Sequence, residues 1–411
     1  MMITQHKYVI LGGGTTAGYA VKELIKQKAD PQNIAIISAE ETVPVDRPPL
    51  SKGFLKSEMQ ENETYIENDS FYEDKGISLY LGIRATNFNQ EEKLIHITDE
   101  EAIRYDYLLV ATGASPLQLE IPGSDLENIF YLRNIADAKA IKAKAQQAKS
   151  AVVIGGSYIS TEVAAGLKSI GLDVTIVFPE HYLLERFSVP EMGVFFNQLF
   201  NDKDVTLVKQ QMVKEIIGNK KAEKVKLSSG EIIDTDLVVA GIGVKPNTEL
   251  FEKSGLEIDD GILVNEFCET NLPDIFAAGD VARFPDLIYG GTRRVEHWEN
   301  AYEMGKNAAK SIIGYKEPYR FLPFFFSDIF DFSYEYFGDP SNANQHVIHG
   351  DINKGNFSVF WFKDAIMDAA FLSADRPEVE REKVKEWIMN KTHLNTEVME
   401  HSEVPFQEAS V

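Results

Sequence analysis

The sequence of 411 residues is poor in cysteine, in basic residues and in long hydrophobic runs, and each shortage excludes a class of protein. Its one cysteine, Cys268, cannot form a disulfide within the chain, so a redox-active cysteine pair is excluded. The 41 basic residues are outnumbered by 64 acidic ones, and the formal net charge of −23 disfavours binding to nucleic acid or to an anionic membrane. No apolar run is long enough to span a bilayer.

The pattern also predicts neither a secretion signal nor a metal site. The first residues, MMITQHK, run directly into an apolar strand, which favours a cytoplasmic protein. The eight histidines show no pairing typical of a zinc site. Hydrophobic residues nevertheless make up 44% of the chain, which is enough to build the cores of two or three domains.

Two glycine-rich turns each follow an apolar strand and precede a helical pattern. The first has the spacing GxGxxA from Gly12 to Ala17, and its next strand is followed by Glu40. The second lies in VVIGGSYISTEV, residues 152–163, and its next strand is followed by Glu180. A strand, glycine turn, helix and second strand closed by an acid form a dinucleotide-binding unit. The pair of units predicts an α/β fold with two dinucleotide sites.

In the first dinucleotide-binding unit, the residue type at each key position suits the binding of a dinucleotide. Gly12 allows the tight turn, Gly14 lets the backbone approach a pyrophosphate, and the helix that follows offers free N–H groups to phosphates. Glu40 suits the hydroxyls of a ribose. Further on, IFAAGDVA places Asp280 at a strand end before a predicted helix, where a carboxylate could bind a ribityl hydroxyl.

The second turn carries serine at two of its three expected glycine positions, Ser157 and Ser160. A positive φ at Ser157 would cost roughly 1–2 kcal/mol, and the Ser160 side chain would cost about 1–3 kcal/mol if the packing could not relax. Both costs are modest, so we expect a working site. Glu180 favours NADH over NADPH, while Arg186 leaves some room for NADPH.

The motifs KYVILGGG, AGYA, IAIIS and RPPLSK, with VEHWENA and FFFSD further on, resemble the FAD-dependent pyridine nucleotide reductases of the glutathione-reductase fold. The first half is most similar to the monodehydroascorbate reductases. The C-terminal motifs resemble bacterial ferredoxin reductases and relatives of apoptosis-inducing factor. The resemblance implies an FAD-binding domain at 1–114 and 245–318 and an NAD(P)H-binding domain at 115–244, both Rossmann-like. From about Tyr319 the sequence becomes dense in aromatic residues, which predicts a third, α+β domain at 319–411 with disorder in its last acidic residues.

The resemblance also assigns residues to the two cofactors and to catalysis. Lys52 would lie near flavin N5 and pair with Glu162, and Tyr158 matches an aromatic ring that covers the flavin until nicotinamide displaces it. The positions matching FAD contacts are Gly12, Gly13, Gly14, Thr15, Glu40, Arg47, Lys52, Arg133, Asp280, Glu296, His297 and Trp298. Those matching the nicotinamide nucleotide site are Gly155, Gly156, Ser157, Tyr158, Ile159, Ser160, Glu180, Arg186 and Gly243.

The electron acceptor stays open at this point. Tyr302 and Phe326 match positions that bind the anionic substrate in monodehydroascorbate reductases, but Asp328 stands where that family has arginine. A small iron–sulfur protein of the ferredoxin or rubredoxin kind is therefore the favoured acceptor. The alternatives are a small organic radical or quinone, and a redox-sensing flavoprotein with slow turnover. The basic residues that could dock an acidic partner, or serve only as structural charges, are Arg283, Arg293, Arg294 and Arg320. The oligomeric state, monomer or homodimer, is not predicted.

Overall fold

The computed structural model describes residues 1–373 and 378–400, so the disorder predicted for the last acidic residues falls outside the described part. The strands in chain order are β1 Met2–Leu11, β2 Ile34–Ile37, β3 Ser78–Tyr80, β4 Asn87–Asn89, β5 Leu94–His96, β6 Glu101–Val110, β7 Ala114–Pro116, β8 Ile129–Phe130, β9 Ser150–Ile154, β10 Asp173–Phe178, β11 Thr206–Lys209, β12 Val213–Ile217, β13 Lys224–Leu227, β14 Ile232–Asp234, β15 Leu237–Ala240, β16 Val244–Pro246, β17 Ile262–Leu263, β18 Ile275–Ala277, β19 Ala282–Pro285, β20 Thr292–Arg293, β21 Phe324–Ile329, β22 Phe332–Gly338, β23 Gln345–Asp351, β24 Asn356–Lys363 and β25 Ile366–Ser373. The helices are α1 Thr15–Lys26, α2 Asp69–Lys75, α3 Ile135–Ala145, α4 Tyr158–Ser169, α5 Pro190–Asn201, α6 Trp298–Ile312, α7 Glu378–Asn390 and α8 Thr396–Glu400.

The chain divides into two compact units, and each is built from three separate stretches. The first unit comprises Met1–Pro48, Gln60–Ser115 and Val244–Phe321. The second comprises Pro49–Met59, Pro116–Gly243 and Leu322–Val411. The three domains inferred from the sequence stay a prediction.

The first unit is built on a seven-stranded sheet. Its order is β3-β2-β1-β6-β5-β4, and β18 also pairs with β6. The five strands β3, β2, β1, β6 and β18 pair in parallel, whereas β5 pairs antiparallel with β6 and β4 pairs antiparallel with β5. Helix α1 buries Ala17, Ala20, Val21 and Leu24, the apolar face that the sequence period predicts. This arrangement holds the β1–α1 turn at the carboxyl edge of the sheet, where α/β proteins bind ligands.

The second unit also contains a parallel sheet with a glycine turn at its carboxyl edge, and it has an antiparallel sheet in addition. Strands β11-β10-β9-β15-β8 form a fully parallel sheet, and the β9–α4 turn again lies at its carboxyl edge. The C-terminal strands form an antiparallel sheet of order β21-β22-β25-β24-β23. Helix α4 packs against β21 of that sheet. The predicted α/β fold with two dinucleotide-type sheets and a C-terminal α+β part is confirmed.

Two local predictions are wrong. The alanine- and lysine-rich stretch 136–149 predicts a helix. Helix α3 ends at Ala145 instead, and the backbone N–H groups of Lys149 and Ser150 donate to Asp236 Oδ2 rather than continuing the helix. Asp280 lies in a 3₁₀ turn, Gly279–Val281, and the next element is strand β19 rather than a helix.

Within residues 1–373 and 378–400, no helix is both long and apolar enough to cross a membrane.

Candidate active site

The first glycine turn is shaped so that only glycine fits at its start. Gly12 has a φ of +138°, and a Cβ there would lie 2.0 Å from the Ala111 carbonyl oxygen. Gly14 is the N-cap residue of α1 and makes no side-chain capping bond. The N–H groups of the first helical turn are therefore not satisfied by the cap residue, which is the arrangement that binds a pyrophosphate.

Glu40 lies beside this turn with one of its oxygens unsatisfied. Its Oε1 accepts a hydrogen bond from Arg47 Nη2 at 2.8 Å, and Arg47 Nη2 would also lie 3.0 Å from a Cβ at Gly14. Its Oε2 is buried and has no partner among the described residues. A buried carboxylate oxygen without a donor is costly. The residues present thus fit a ligand that brings hydroxyl donors and phosphates to this turn, as the FAD predicted from the sequence would.

The other residues assigned to FAD in the first unit lie around the start of α6. His297 is the N-cap residue, and Trp298 Nε1 donates to Asp46 Oδ1 at 2.6 Å. Glu296 is exposed and accepts from Arg294 at 2.6 Å. Asp280 is buried at 6% exposure.

Asp46 holds the aromatic side chains of this region together, and the sequence did not single it out. It accepts from Trp298 and, at 3.1 Å, from the Tyr19 hydroxyl. Burial raises its pKa, and the two hydrogen bonds offset only part of that rise. Tyr302 stacks on Trp298 with ring centroids 5.4 Å apart.

In the second unit, the two serines fit the glycine turn without strain. Ser157 is the N-cap residue of α4 with a φ of −101°, so the cost expected for a positive φ does not arise. Ser160 is buried, and its hydroxyl donates to the Gly241 carbonyl at 3.1 Å. Gly241 leaves the space for it, because a Cβ there would lie 2.4 Å from Ser160 Oγ. The serines therefore preserve the turn, while Gly155 keeps the positive φ of +115°.

The remaining residues assigned to the nicotinamide nucleotide surround this turn. Glu180 follows β10 and is exposed, and Ile159 is 45% exposed on the first turn of α4. The Gly243 carbonyl accepts from the Leu117 N–H at 2.9 Å, which fixes the loop after β15. Gly156 accepts from the Leu184 N–H at 2.8 Å.

Lys52 and Glu162 form the ion pair that the resemblance predicts. Lys52 Nζ lies 3.5 Å from Glu162 Oε1, and Glu162 is only 7% exposed, which rules out an exposed helix position. Burial raises the pKa of Glu162, and the nearby Lys52 charge and its hydrogen bonds only partly oppose that rise. Two further donors were missed: the Ser51 hydroxyl bonds to Oε2, and the Ser327 hydroxyl bonds to Oε1 at 2.6 Å. Ser51 and Ser327 directly precede Lys52 and Asp328, the residues that the sequence motifs had singled out.

Asp328 forms a second ion pair with Lys52. Its Oδ2 lies 3.1 Å from Lys52 Nζ, and Lys52 Nζ also lies 4.1 Å from the centroid of the Phe326 ring. Burial works to raise the pKa of Asp328, but a hydrogen bond from Ser333 and the Lys52 charge outweigh it, so the pKa is lowered. The ammonium is thus held between two carboxylates.

Tyr158 begins α4 and packs in an aromatic cluster. Its ring lies 4.4 Å from Phe325 and 6.0 Å from Phe187, measured between centroids. The Arg186 guanidinium carbon lies 5.0 Å from the ring centroid. Burial raises the pKa of the phenol well above its ordinary value.

Arg133 and Cys268 complete the predicted set. Arg133 lies in the second unit, as Lys52 does, and its backbone N–H donates to Asp137 at the start of α3. Because Cys268 lies in VNEFCETN, just before the predicted strand of IFAAGDVA, the sequence predicts a small strand residue, and this prediction is wrong. Cys268 closes a turn with a φ of +62°, and its N–H donates to the Asn265 carbonyl. Burial raises the pKa of this thiol far above its ordinary value, so it stays protonated.

Comparison with known proteins identifies the family. Residues 6–305 match the model of the pyridine nucleotide-disulphide oxidoreductases. The chain belongs to this family. Residues 322–406 match the C-terminal domain of monodehydroascorbate reductase 3-like proteins.

Individual relatives fall into two groups. The monodehydroascorbate reductase of Pisum sativum is 34% identical over 403 residues, which cover 92% of this chain and 93% of the pea protein. Among solved structures, putidaredoxin reductase in its covalent complex with putidaredoxin has a TM-score of 0.92 at 28% identity and covers 98% of this chain and 97% of its own. The ferredoxin reductase for the CYP199A2 system of Rhodopseudomonas palustris has the same score and identity, covering 98% and 100%.

Membership of this family confirms the predicted enzyme class and cofactors. The protein is an FAD-dependent NAD(P)H oxidoreductase, and its single cysteine sets it apart from members that use a redox-active disulfide. Its relatives include reductases of a small molecule and a reductase solved with a protein partner.

Proposed function

We propose that this protein takes a hydride from NADH and passes single electrons to a small iron–sulfur carrier. The Lys52–Glu162 pair is the observation that carries the proposal, because it puts a cation and a carboxyl group of raised pKa beside the glycine turn of α4. A bound FAD would supply the hydride-accepting and one-electron-donating chemistry. Glu162, with its raised pKa, holds or exchanges a proton at a higher pH than an ordinary carboxyl. The Lys52 Nζ lies 3.5 Å from Glu162 and 3.1 Å from Asp328.

Residues outside this pair support the cofactor assignment. Gly12, Gly14 and Glu40 would hold the pyrophosphate and ribose of FAD, and the uncapped start of α4 would hold the phosphates of NADH. Glu180 would accept from the 2′-hydroxyl of NADH and repel the 2′-phosphate of NADPH. We expect the protein to act in the cytoplasm.

Anaerobic stopped-flow mixing with NADH tests the donor side. Fast loss of the oxidised flavin absorbance is expected, with a lower kcat/KM for NADPH. Lys52→Met keeps the length of the side chain and removes its charge, so it is expected to slow this phase at equal FAD content. A flavin that stays oxidised in millimolar NADH contradicts the proposal.

The carrier is favoured by two observations on the acceptor side. The chain is similar in fold to a reductase solved with its iron–sulfur partner. Asp328 also puts a negative charge beside Lys52, which disfavours a small anionic radical.

An uncharged organic acceptor of the quinone class is the second candidate, because candidate docking arginines are paired with acids of this chain. Arg283 is paired with Asp259, Arg293 with Asp286, and Arg294 with Asp260 and Glu296. Steady-state turnover with an iron–sulfur protein, a quinone and the ascorbyl radical separates the classes. Preference for the ascorbyl radical contradicts the charge argument. Slow turnover with all acceptors, together with a change of oligomeric state on reduction, indicates a sensing flavoprotein.

A further inference from the structure

The turn after β10 carries Arg186 next to Tyr158, the first residue of α4. Residues Glu185–Phe187 form a 3₁₀ turn between Leu184 and Ser188, which have φ values of 54° and 57°. Such left-handed conformations cost free energy in residues other than glycine, and they persist only where the surroundings hold them. The turn is held by the Leu184 N–H bond to Gly156 and by Phe187, which is 2% exposed. The backbone of this turn is thus fixed to the glycine turn.

Arg186 projects from this fixed turn with a weak partner and no strong one. Its side chain is exposed, and its guanidinium lies over the Tyr158 ring, with Cζ 5.0 Å from the centroid. Throughout the described ranges, 1–373 and 378–400, no carboxylate forms an ion pair with it. A guanidinium binds phosphate through two parallel hydrogen bonds, which is a much stronger interaction than its contact with an aromatic face.

We propose that Arg186 couples two parts of the nicotinamide nucleotide site, the part that binds the phosphates and the Tyr158 ring. Its guanidinium binds either the Tyr158 ring or the phosphates of the nucleotide, and it cannot keep the first contact fully while making the second. Binding of the adenosine diphosphate half therefore releases the Tyr158 ring from its contact with the guanidinium. Arg186 is in this sense a positioning residue that acts through Tyr158. The proposal rests on the nucleotide site of the proposed function.

The packing of Tyr158 agrees with a ring that is held from several sides. Phe325 of β21 and Phe187 of the 3₁₀ turn contact the ring as well, and their own ring centroids lie 6.4 Å apart. These aromatic contacts do not compete for the nucleotide, because neither side chain can bind an anion. Arg186 is the contact of the ring that an anionic ligand can remove.

The test uses ADP-ribose, which carries the adenosine and both phosphates but no nicotinamide. Its affinity for the FAD-loaded full chain is measured by isothermal titration calorimetry. Arg186→Met is expected to weaken binding about tenfold, because it removes the phosphate contact at equal side-chain length. Tyr158→Leu fills the space without an aromatic face and is expected to tighten binding about threefold, because no ring contact must be given up. Tyr158→Phe, the matched control, keeps the ring and is expected to bind as the wild type does.

The double variant measures the coupling. Arg186→Met is expected to cost about three times more affinity in the Tyr158→Leu background than in the wild type, because only there is the guanidinium free beforehand. The proposed coupling is overturned if Arg186→Met weakens ADP-ribose binding equally in both backgrounds. It is also overturned if the wild type and Tyr158→Leu bind ADP-ribose with equal affinity. Retained FAD content shows that each variant is folded. A wild-type protein that binds no ADP-ribose and is not reduced by NADH contradicts the proposed function as well, so the two failures are distinguishable.

Discussion

Glu40 gives a test at the scale of a single residue, because its buried Oε2 finds no partner within residues 1–373 and 378–400, while Oε1 is bonded to Arg47. We expect Glu40→Gln to weaken FAD binding about tenfold or more, since a hydrogen bond to a charged group contributes roughly 1.5–3 kcal/mol. The measurement is quenching of flavin fluorescence as FAD is titrated into the apoprotein. Glu41→Gln, at the exposed neighbouring position, is the control and is expected to bind FAD normally. Equal dissociation constants for the two variants would contradict the assignment of Glu40 to the ribose.

The protonation of Glu162 makes the stability of the protein depend on pH. Its folded-state pKa is raised, chiefly by burial, above the ordinary value of 4.5. Between that value and the folded-state pKa, the folded protein keeps a proton that the unfolded chain has lost. The free energy of unfolding contributed by this residue therefore falls as pH rises through that window, by up to about 1.4 kcal/mol per pH unit.

Urea unfolding of the wild type and Glu162→Gln across this pH range checks the sign. The glutamine does not titrate, so the stability of the wild type relative to the variant is expected to decrease as pH rises above 4.5 and then to level off. A relative stability that increases with pH would show that Lys52 lowers the pKa of Glu162 more than burial raises it.

At the scale of elements, the β9–α4 turn separates two serines that look equivalent in the sequence. Ser157 has a relaxed φ and an exposed side chain, whereas Ser160 is buried and bonded to Gly241. Ser160→Gly is therefore expected to lower the free energy of unfolding by about 1 kcal/mol, and Ser157→Gly by a few tenths of that or less. Thermal unfolding of the two variants measures this, and NADH affinity is expected to change less than twofold in Ser157→Gly. Equal destabilisation would mean that the hydrogen bond of Ser160 adds no stability.

The elements that carry both glycine turns could be predicted because their signals are local. An apolar strand, a positive-φ glycine and a helical period all lie within about 20 residues of each other, as in 8–24 and 151–169. The 3₁₀ turn at Asp280 and the turn at Cys268 were missed, because their conformations are set by tertiary contacts rather than by local pattern. The ion pair was predicted only through the resemblance. The serines that bond to Glu162 come from positions 111 and 165 residues away, a separation that no periodicity reports.

At the scale of the whole molecule, charge bears on the choice of acceptor. The chain carries a net charge of −23, and Arg283, Arg293 and Arg294 are each paired with acidic residues. Paired arginines add little local positive potential, so an acidic carrier meets a repulsive field on approach. The same field hardly affects an uncharged quinone. Ionic strength is thus the variable that separates the two candidate acceptors.

We expect the second-order rate constant for reduction of an acidic ferredoxin to rise with salt, because screening weakens the repulsion between two negative proteins. An increase of about threefold or more is expected between roughly 10 mM and roughly 200 mM salt, over which the Debye length shrinks from about 30 Å to less than 10 Å. Stopped-flow mixing of the NADH-reduced enzyme with oxidised ferredoxin measures it. An uncharged quinone is the control, and its rate constant is expected to stay constant. A rate constant for ferredoxin that falls with salt would instead show that attractive docking charges dominate the encounter.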